Sequence, residues 1–161
     1  MLLIKYINIV YIQIYGDMMA CCGIWEKFDN ENNTIKEYKY WKLLIRKNQA
    51  FLGACVAITK EHHDFLSELS EKEMAEYNEV VKDAEKALKK LWNFDGIHHL
   101  LLMMKDKHTH FHILPRYIET KEFAGLKWED GYNKPPLGIN NSPNQDVLNK
   151  IRDEIKKAIE D

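Results

Sequence analysis

The pattern of apolar and polar positions in the first half of the chain predicts a hairpin followed by a long helix. Residues 40–45 and 51–58 are rich in apolar and β-branched side chains, and a short polar segment separates them, as in an antiparallel hairpin. Ser70 and Glu73 have the capping-box spacing that begins a helix. Apolar residues then recur at helical spacing to about Trp92, so we expect an amphipathic helix that covers a sheet.

The pattern in the second half predicts two further strands and a long loop. A strand is predicted at about residues 98–104, of which 100–104 are apolar, and a polar break at 105–107 follows it. The next predicted strand carries alternating histidines and ends in the apolar pair Ile113 and Leu114, before a proline. We expect these two strands to pair. Residues 117–141 contain several prolines and glycines and are predicted to be a loop.

The C-terminal segment predicts a helix that begins at Ser142. Pro143 is typical of the first helical position, and Gln145 lies three residues after the predicted cap. Apolar residues between positions 147 and 159 share one helical face. The order of elements, with hairpins rather than crossovers, favours an α+β fold, in which an antiparallel sheet is packed by helices and followed by a C-terminal helical extension.

The length of the chain fits one domain over residues 1–161, with a C-terminal extension over residues 118–161. Residues 1–20 are an uncertain N-terminal extension. Within it, residues 1–15 alternate β-branched and aromatic side chains and predict a strand, although the working protein could instead begin at the methionines 18–19. This segment is too short and too polar for a membrane-spanning helix, and it lacks the small-residue cleavage site of a signal peptide.

Composition and charge restrict the possible partners. The chain is 45% hydrophobic and 30% charged, which is typical of a soluble globular protein. A net charge of -2 gives no general attraction to nucleic acid or membranes, so we expect neither as a partner. The three cysteines, Cys21, Cys22 and Cys55, show no CxxC spacing, which favours a reducing cytoplasm and argues against a structural zinc site.

The candidate chemistry lies in a row of alternating histidines, His108, His110 and His112. On an extended strand, side chains two positions apart point to the same face, so the three imidazoles should lie side by side. Burial of imidazoles is costly unless partners satisfy them. Such a row is therefore expected to act on a phosphate or to bind a metal, and otherwise its rings must be satisfied within the core.

The sequence HTHFHIL, followed by PRY, resembles the signature of the histidine triad (HIT) superfamily. The resemblance extends over residues 41–117, because WKLLIRKNQAFLGACVAITKEH resembles the hairpin of that superfamily, LSELSEKE the start of its helix and HHLLLMMKD the strand before the triad. The segment EFAGLKWEDGYNKPP and the last helix resemble an extension found in some bacterial and archaeal members.

The resemblance implies a cytoplasmic nucleotide hydrolase or nucleotidyltransferase that acts at the α-phosphate, without a cofactor or metal, on an adenine or other purine nucleotide. It makes His110 the nucleophile, which forms a covalent nucleotidyl-histidine, and it gives His108 and His112 orienting and phosphate-binding roles. It also implies a homodimer in which the sheets continue across the interface. Asn48, in the polar turn of the hairpin, lies near a ribose contact of some members and is a candidate substrate-binding residue.

One position and one short segment depart from the pattern of the superfamily. Ala54 stands where many members carry a fourth histidine, and the polar segment 105–107 replaces a loop rich in Gln or Gly that contacts the phosphate. These departures affect the identity of the substrate more than the chemistry. Lys105, Lys107 and Arg116 lie close to the triad in sequence and are candidates for additional positive charge, although solvated charges are the more common interpretation.

The proposed chemistry makes a specific demand on the middle histidine. An imidazole with an unperturbed pKa of about 6.5 is mostly neutral at pH 7 and can act as a nucleophile. One ring nitrogen of His110 must then face the phosphorus, and the other should donate a hydrogen bond to a backbone carbonyl that fixes the tautomer. Neighbouring imidazoles disfavour protonation of one another and help to keep this ring neutral.

Two other hypotheses remain open from the sequence. The three strand histidines could bind zinc in a metalloenzyme, with His62, His63 or Asp64 as further ligands. Alternatively, the protein could be a nucleotide binder that has kept the fold and lost turnover, which Ala54 and the missing Gln would favour.

Overall fold

The computed structural model describes residues 22–161, and its centre is a five-stranded antiparallel sheet with the strand order β1-β2-β3-β5-β4. The strands of this sheet are β1 (Thr34–Glu37), β2 (Trp41–Ile45), β3 (Cys55–Thr59), β4 (Gly96–Leu101) and β5 (His110–Arg116). The predicted strand at residues 1–15, the alternative start at 18–19 and Cys21 lie outside the described residues. The predicted α+β fold with an antiparallel sheet is confirmed.

Helices and a small hairpin complete the described part of the chain. The helices are α1 (Ile24–Phe28), α2 (Asn30–Asn33), α3 (Glu71–Trp92) and α4 (Gln145–Glu160), with a 3₁₀ turn at Leu66–Glu68. The strands β6 (Lys121–Phe123) and β7 (Leu126–Trp128) form a separate two-stranded sheet. Across residues 22–161, none of the helices has the length and apolar character needed to cross a membrane.

The two faces of the sheet carry different layers because successive strand residues point to opposite sides. On β2, Trp41, Leu43 and Ile45 join the main core with α3 and α4, whereas Leu44 faces the other side. Leu44 packs there with Val56 and Ile58 of β3 and with the apolar residues of α1. The long helices thus cover one face, and α1 covers part of the face that carries the triad.

Helix α3 begins as the sequence predicts. The Ser70 hydroxyl accepts a hydrogen bond from the Glu73 backbone N–H at 3.3 Å, and the Glu73 carboxylate accepts one from the Ser70 backbone N–H at 2.7 Å. The predicted start of the last helix is wrong by two residues. Asn144, not Ser142, is its N-cap, because the Asn144 side-chain oxygen accepts the hydrogen bond from the Val147 N–H at 3.0 Å.

Several predicted boundaries also differ from the structure. The predicted strand 51–58 begins only at Cys55, because Ala54 donates a backbone hydrogen bond to Phe51 at 3.0 Å and closes a turn. The predicted strand 98–104 is β4, which is shifted toward the N-terminus and ends at Leu101. The predicted loop 117–141 contains the β6–β7 hairpin. The sequence did not predict β1, α1 and α2, because elements this short have too few residues to show a clear hydrophobic period.

Gly53 closes the turn before β3 in a conformation that other residues adopt only with strain. Its φ is +83°, and a Cβ atom there would lie 2.6 Å from Cδ2 of Leu88 and 2.8 Å from a ring carbon of Trp92. Gly125, in the β6–β7 turn, has a similar φ of +76° but open space around it. A comparison of substitutions at the two glycines therefore distinguishes the cost of backbone strain from the cost of steric crowding.

We predict that Gly53→Ala destabilises the protein more than Gly125→Ala. Both substitutions place a side chain in the left-handed region, at a cost of roughly 1 to 2 kcal/mol. Gly53→Ala adds overpacking against α3, at a cost of about 1 to 3 kcal/mol. Urea unfolding of both variants measures the difference, and equal losses of unfolding free energy would contradict the packing described here.

Candidate functional site

The three histidines of the triad lie on one side of β5, as the sequence predicts. His110 and His112 belong to the strand, with ring centroids 5.0 Å apart, and they pair with Ile58 and Val56 of β3. His108 lies two residues before the strand. Phe111, between the two strand histidines, points to the opposite face and stacks on Tyr77 of α3 at 4.4 Å.

The middle histidine has the hydrogen bond that a histidine nucleophile requires. Nδ1 of His110 lies 2.6 Å from the backbone carbonyl oxygen of His108. A carbonyl oxygen can only accept, so Nδ1 carries the hydrogen and Nε2 keeps its lone pair. Nε2 is buried and has no hydrogen-bond partner among the described residues. The ring is therefore fixed in one tautomer, with its basic nitrogen not engaged by protein.

The first histidine of the triad is held on both sides. Nε2 of His108 donates to the Thr59 carbonyl oxygen at 2.8 Å, so Nδ1 is the nitrogen that accepts. The Cys22 thiol lies 3.2 Å from that Nδ1. The edge of the Trp25 indole also packs against the ring, with centroids 5.9 Å apart. His108 is thus a rigid part of the site.

Burial keeps the imidazoles neutral. Desolvation lowers the pKa of His108 to about 4 and that of His112 to about 3, and it also lowers the pKa of His110. The hydrogen bond to the His108 carbonyl opposes the shift at His110, and the positive charges of Lys27 and Arg46 reinforce it. The expected neutral state of His110 at pH 7 follows from these surroundings.

Helix α1 lies directly over the triad. The Phe28 ring is 5.9 Å from that of His110 and 6.0 Å from that of His112, centroid to centroid. Lys27 of the same helix pairs with Asp106, in the polar segment before β5. The His110 side chain is fully buried as a result. A ligand that reaches its Nε2 atom must displace part of this helix.

Four buried side-chain nitrogens lack a hydrogen-bond partner within the described part of the chain. They are Trp25 Nε1, Arg46 Nε, His110 Nε2 and His112 Nδ1. An unsatisfied buried polar group costs roughly 1 to 3 kcal/mol, so native proteins rarely keep several together. All four belong to the triad or to side chains that surround it. His110 and His112, unlike His108, are therefore not fully satisfied core histidines. The N–H groups of Trp25 and Arg46 beside them suit a ligand that accepts hydrogen bonds.

The structure does not bring Asn48 to the triad. Its amide nitrogen donates to the Ile139 carbonyl at 3.0 Å, and its side-chain oxygen accepts from the backbone N–H groups of Ala50 and Asn141, both at 3.0 Å. These bonds tie the hairpin turn to the C-terminal extension. The ribose contact assigned to Asn48 stays a prediction.

Arg116, a candidate for additional positive charge, is instead neutralised within the fold. Its Nε atom lies 2.8 and 2.9 Å from the two carboxylate oxygens of Asp130, and both side chains are buried. Its Nη2 atom donates to the carbonyls of Tyr132 and Lys134, both at 3.0 Å. Arg116 thereby anchors the segment after β7 and is not available to a substrate.

A group of side chains beside the triad could hold a metal ion. Ligand atoms of Cys22, His62 and His108 all lie within 4.8 Å of one another, and sulfur and imidazole ligands suit zinc. Of the triad, only His108 belongs to this group, so the arrangement differs from a site built by the three strand histidines. Cys22 could not be assigned to this group from the sequence because it lies far from both histidines along the chain. His63 instead contacts Glu73 at 2.8 Å, and His62 also contacts Asp64 at 3.0 Å.

Comparison with known proteins places this arrangement in a known fold. No protein-family model and no curated protein matches the sequence. Solved structures do match. A histidine triad protein from Sinorhizobium meliloti superposes with a TM-score of 0.66 at 12% identity, covering 82% of this chain and 93% of that one.

Two further matches carry chemical information in their own names. The diadenosine triphosphate hydrolase of Plasmodium falciparum, solved in complex with cyclomarin A, matches with a TM-score of 0.61 at 15% identity, over 81% of this chain and 78% of that chain. A zinc-bound histidine triad family protein from Mycobacterium smegmatis matches with a TM-score of 0.60 at 16% identity, over 86% of this chain and 93% of that chain. The chain therefore has the fold of the histidine triad proteins.

Proposed function

We propose that this protein is a nucleotide phosphoanhydride or phosphoramidate hydrolase, or a nucleotidyltransferase, with His110 as its nucleophile. The Nε2 lone pair attacks the α-phosphorus of a purine nucleotide, and the bond from phosphorus to the leaving group breaks in line. The product is a nucleotidyl-histidine. Water, or an acceptor in a transferase, then attacks the same phosphorus, and the electrons of the P–N bond return to Nε2.

The observation that carries this proposal is the state of the His110 ring. Its Nδ1–H group is held by the His108 carbonyl, and Nε2 has no partner within residues 22–161. A metal site or a packed core histidine would use that nitrogen, whereas a nucleophile requires it to be available. The fold shared with a diadenosine triphosphate hydrolase supports the same class of substrate.

The flanking histidines complete the proposed site in different ways. His112 has an unsatisfied Nδ1 atom, which suits a hydrogen bond to a phosphate oxygen. His108 supplies the carbonyl that orients His110, and its own ring is fixed by the Thr59 carbonyl. We therefore assign phosphate binding to His112 and orientation to His108.

We also propose a homodimer that forms through β4. This strand lies at one end of the sheet and pairs only with β5 in the described chain, so its outer edge is available to a second copy. Leu102 and Met104, just after it, are 42% and 98% exposed. Light scattering after size-exclusion chromatography should give about twice the chain mass of 19.1 kDa. A monomer mass at micromolar concentration would contradict the proposal.

We predict that His110→Asn abolishes turnover of adenosine phosphoramidate and diadenosine polyphosphates. Loss of a nucleophile lowers kcat by about 10³-fold or more. His99→Asn is the matched control, because His99 contacts Glu85 and Tyr77 of α3 and should leave the rate unchanged. Equal rates for wild type and His110→Asn would refute the nucleophile. Binding of these nucleotides by wild type without turnover would instead support a non-catalytic nucleotide binder.

The convergence of Cys22, His62 and His108 favours zinc binding as a second candidate function. This group leaves Nε2 of His110 available, so zinc binding and nucleotide chemistry are compatible. The His108 Nδ1 lone pair and the Cys22 sulfur would be ligands when zinc is bound. Zinc would there stabilise the packing of the segment before α1 on the sheet.

Metal analysis of the purified protein tests this candidate. We expect one zinc per chain in wild type and a strong loss in Cys22→Ser. Cys55→Ala is the control, because that thiol is buried in the core and donates to the Gly53 carbonyl at 3.2 Å. Zinc content that is absent, or equal in the two variants, would contradict the assignment of these ligands.

A further inference from the structure

Arg46 lies on the same face of the sheet as the triad. It follows β2 directly, and its backbone N–H donates to the Ala54 carbonyl at 3.0 Å, which continues the β2–β3 pairing. Strand alternation places Arg46 on the side of Leu44, which packs with α1. The long side chain therefore extends over the face that α1 and the triad share.

The neighbours of Arg46 leave room for its side chain to approach His112. Leu44, Val56 and His112 form one row across β2, β3 and β5. The next row contains Arg46 and Ala54, whose methyl group packs against Leu114. Two rows on one face are about 7 Å apart, within the reach of an arginine side chain. In agreement, the positive charge of Arg46 lowers the pKa of His112 more than any other charge does.

The charge of Arg46 has no counter-ion among residues 22–161. It forms no ion pair there, and its buried Nε atom has no hydrogen-bond partner. Two other cations near the triad have carboxylate partners: Lys27 is paired with Asp106, and Lys42 lies 3.6 Å from Glu37. Because the imidazoles are neutral at pH 7, Arg46 is the main positive charge that an anionic ligand of the triad would meet.

Arg116 shows how this chain pairs a buried arginine that has a structural role. Arg116 has Asp130 and several carbonyls around its guanidinium. Arg46 has no equivalent carboxylate within the described chain. A partly buried guanidinium without a counter-ion is costly and matches the geometry of phosphate oxygens, to which it can donate two hydrogen bonds.

We propose that Arg46 is a substrate-binding residue, whose guanidinium binds an oxygen of the phosphate that His110 attacks, on the His112 side of the site. This inference rests on the proposed function and names the group that recognises the anion. The ligand class is a nucleoside 5′-phosphate or a larger ester of it. The unsubstituted nucleoside should lack this contact.

Calorimetric titration of the full chain with AMP and with adenosine tests the proposal. We expect Arg46→Met to weaken AMP binding by about 10- to 100-fold, because hydrogen bonds to a charged group are lost, and to leave adenosine binding unchanged. Arg46→Lys keeps the charge but loses the paired donors of the guanidinium, so its affinity for AMP should lie between those of wild type and Arg46→Met. Lys47→Met is the matched control, because Lys47 is exposed and its contact to Asp29 is 3.7 Å long.

Thermal unfolding without ligand separates binding from folding. Arg46→Met removes a charge that lacks a counter-ion, so its Tm should equal or exceed that of wild type. A lower Tm, with equal weakening of AMP and adenosine, would show that Arg46 supports the fold and would overturn the proposal. Unchanged AMP binding in Arg46→Met would refute the role of Arg46 alone. Failure of wild type to bind or turn over any of the nucleotides would refute the proposed function itself.

Discussion

The pairing of β5 along both of its edges is the constraint on which the site depends. The strand pairs with β3 on one side and β4 on the other, so its register is fixed along both edges. A slip of one residue would exchange the two faces, moving Phe111 out of the core and the histidines into it. The same pairing that builds the core therefore places His110 and His112 together under α1.

Within residues 22–161, the site combines neutral imidazoles with one cation, Arg46, that has no counter-ion there. Burial lowers the pKa of the three histidines, which leaves the Nε2 lone pair of His110 unprotonated for attack and removes positive charge from the site. A phosphate still needs a donor, and the unsatisfied nitrogens of Trp25, Arg46 and His112 can provide it. Their desolvation cost is recovered when an anion binds, so these nitrogens favour negative charge at the expense of stability.

The sequence predicted those parts of the structure that depend on local period and spacing. The cap of α3 at Ser70 and the shared face of the histidines both follow from residues within a few positions of one another. Contacts between distant segments could not be predicted in this way. They depend on how the layers pack, as for the position of α1 over the triad and the approach of Cys22 to His108. The same holds for the lack of a counter-ion for Arg46 among residues 22–161.

The most direct test of this account is the protonation state of the His110 ring, measured by ¹⁵N–¹H NMR correlation and assigned by comparison with His110→Asn. We expect a neutral ring with the proton on Nδ1 at pH 7. Because the pKa is lowered, the ring should stay neutral as the pH falls below about 6.5. A proton on Nε2, or an imidazolium at pH 7, would contradict it.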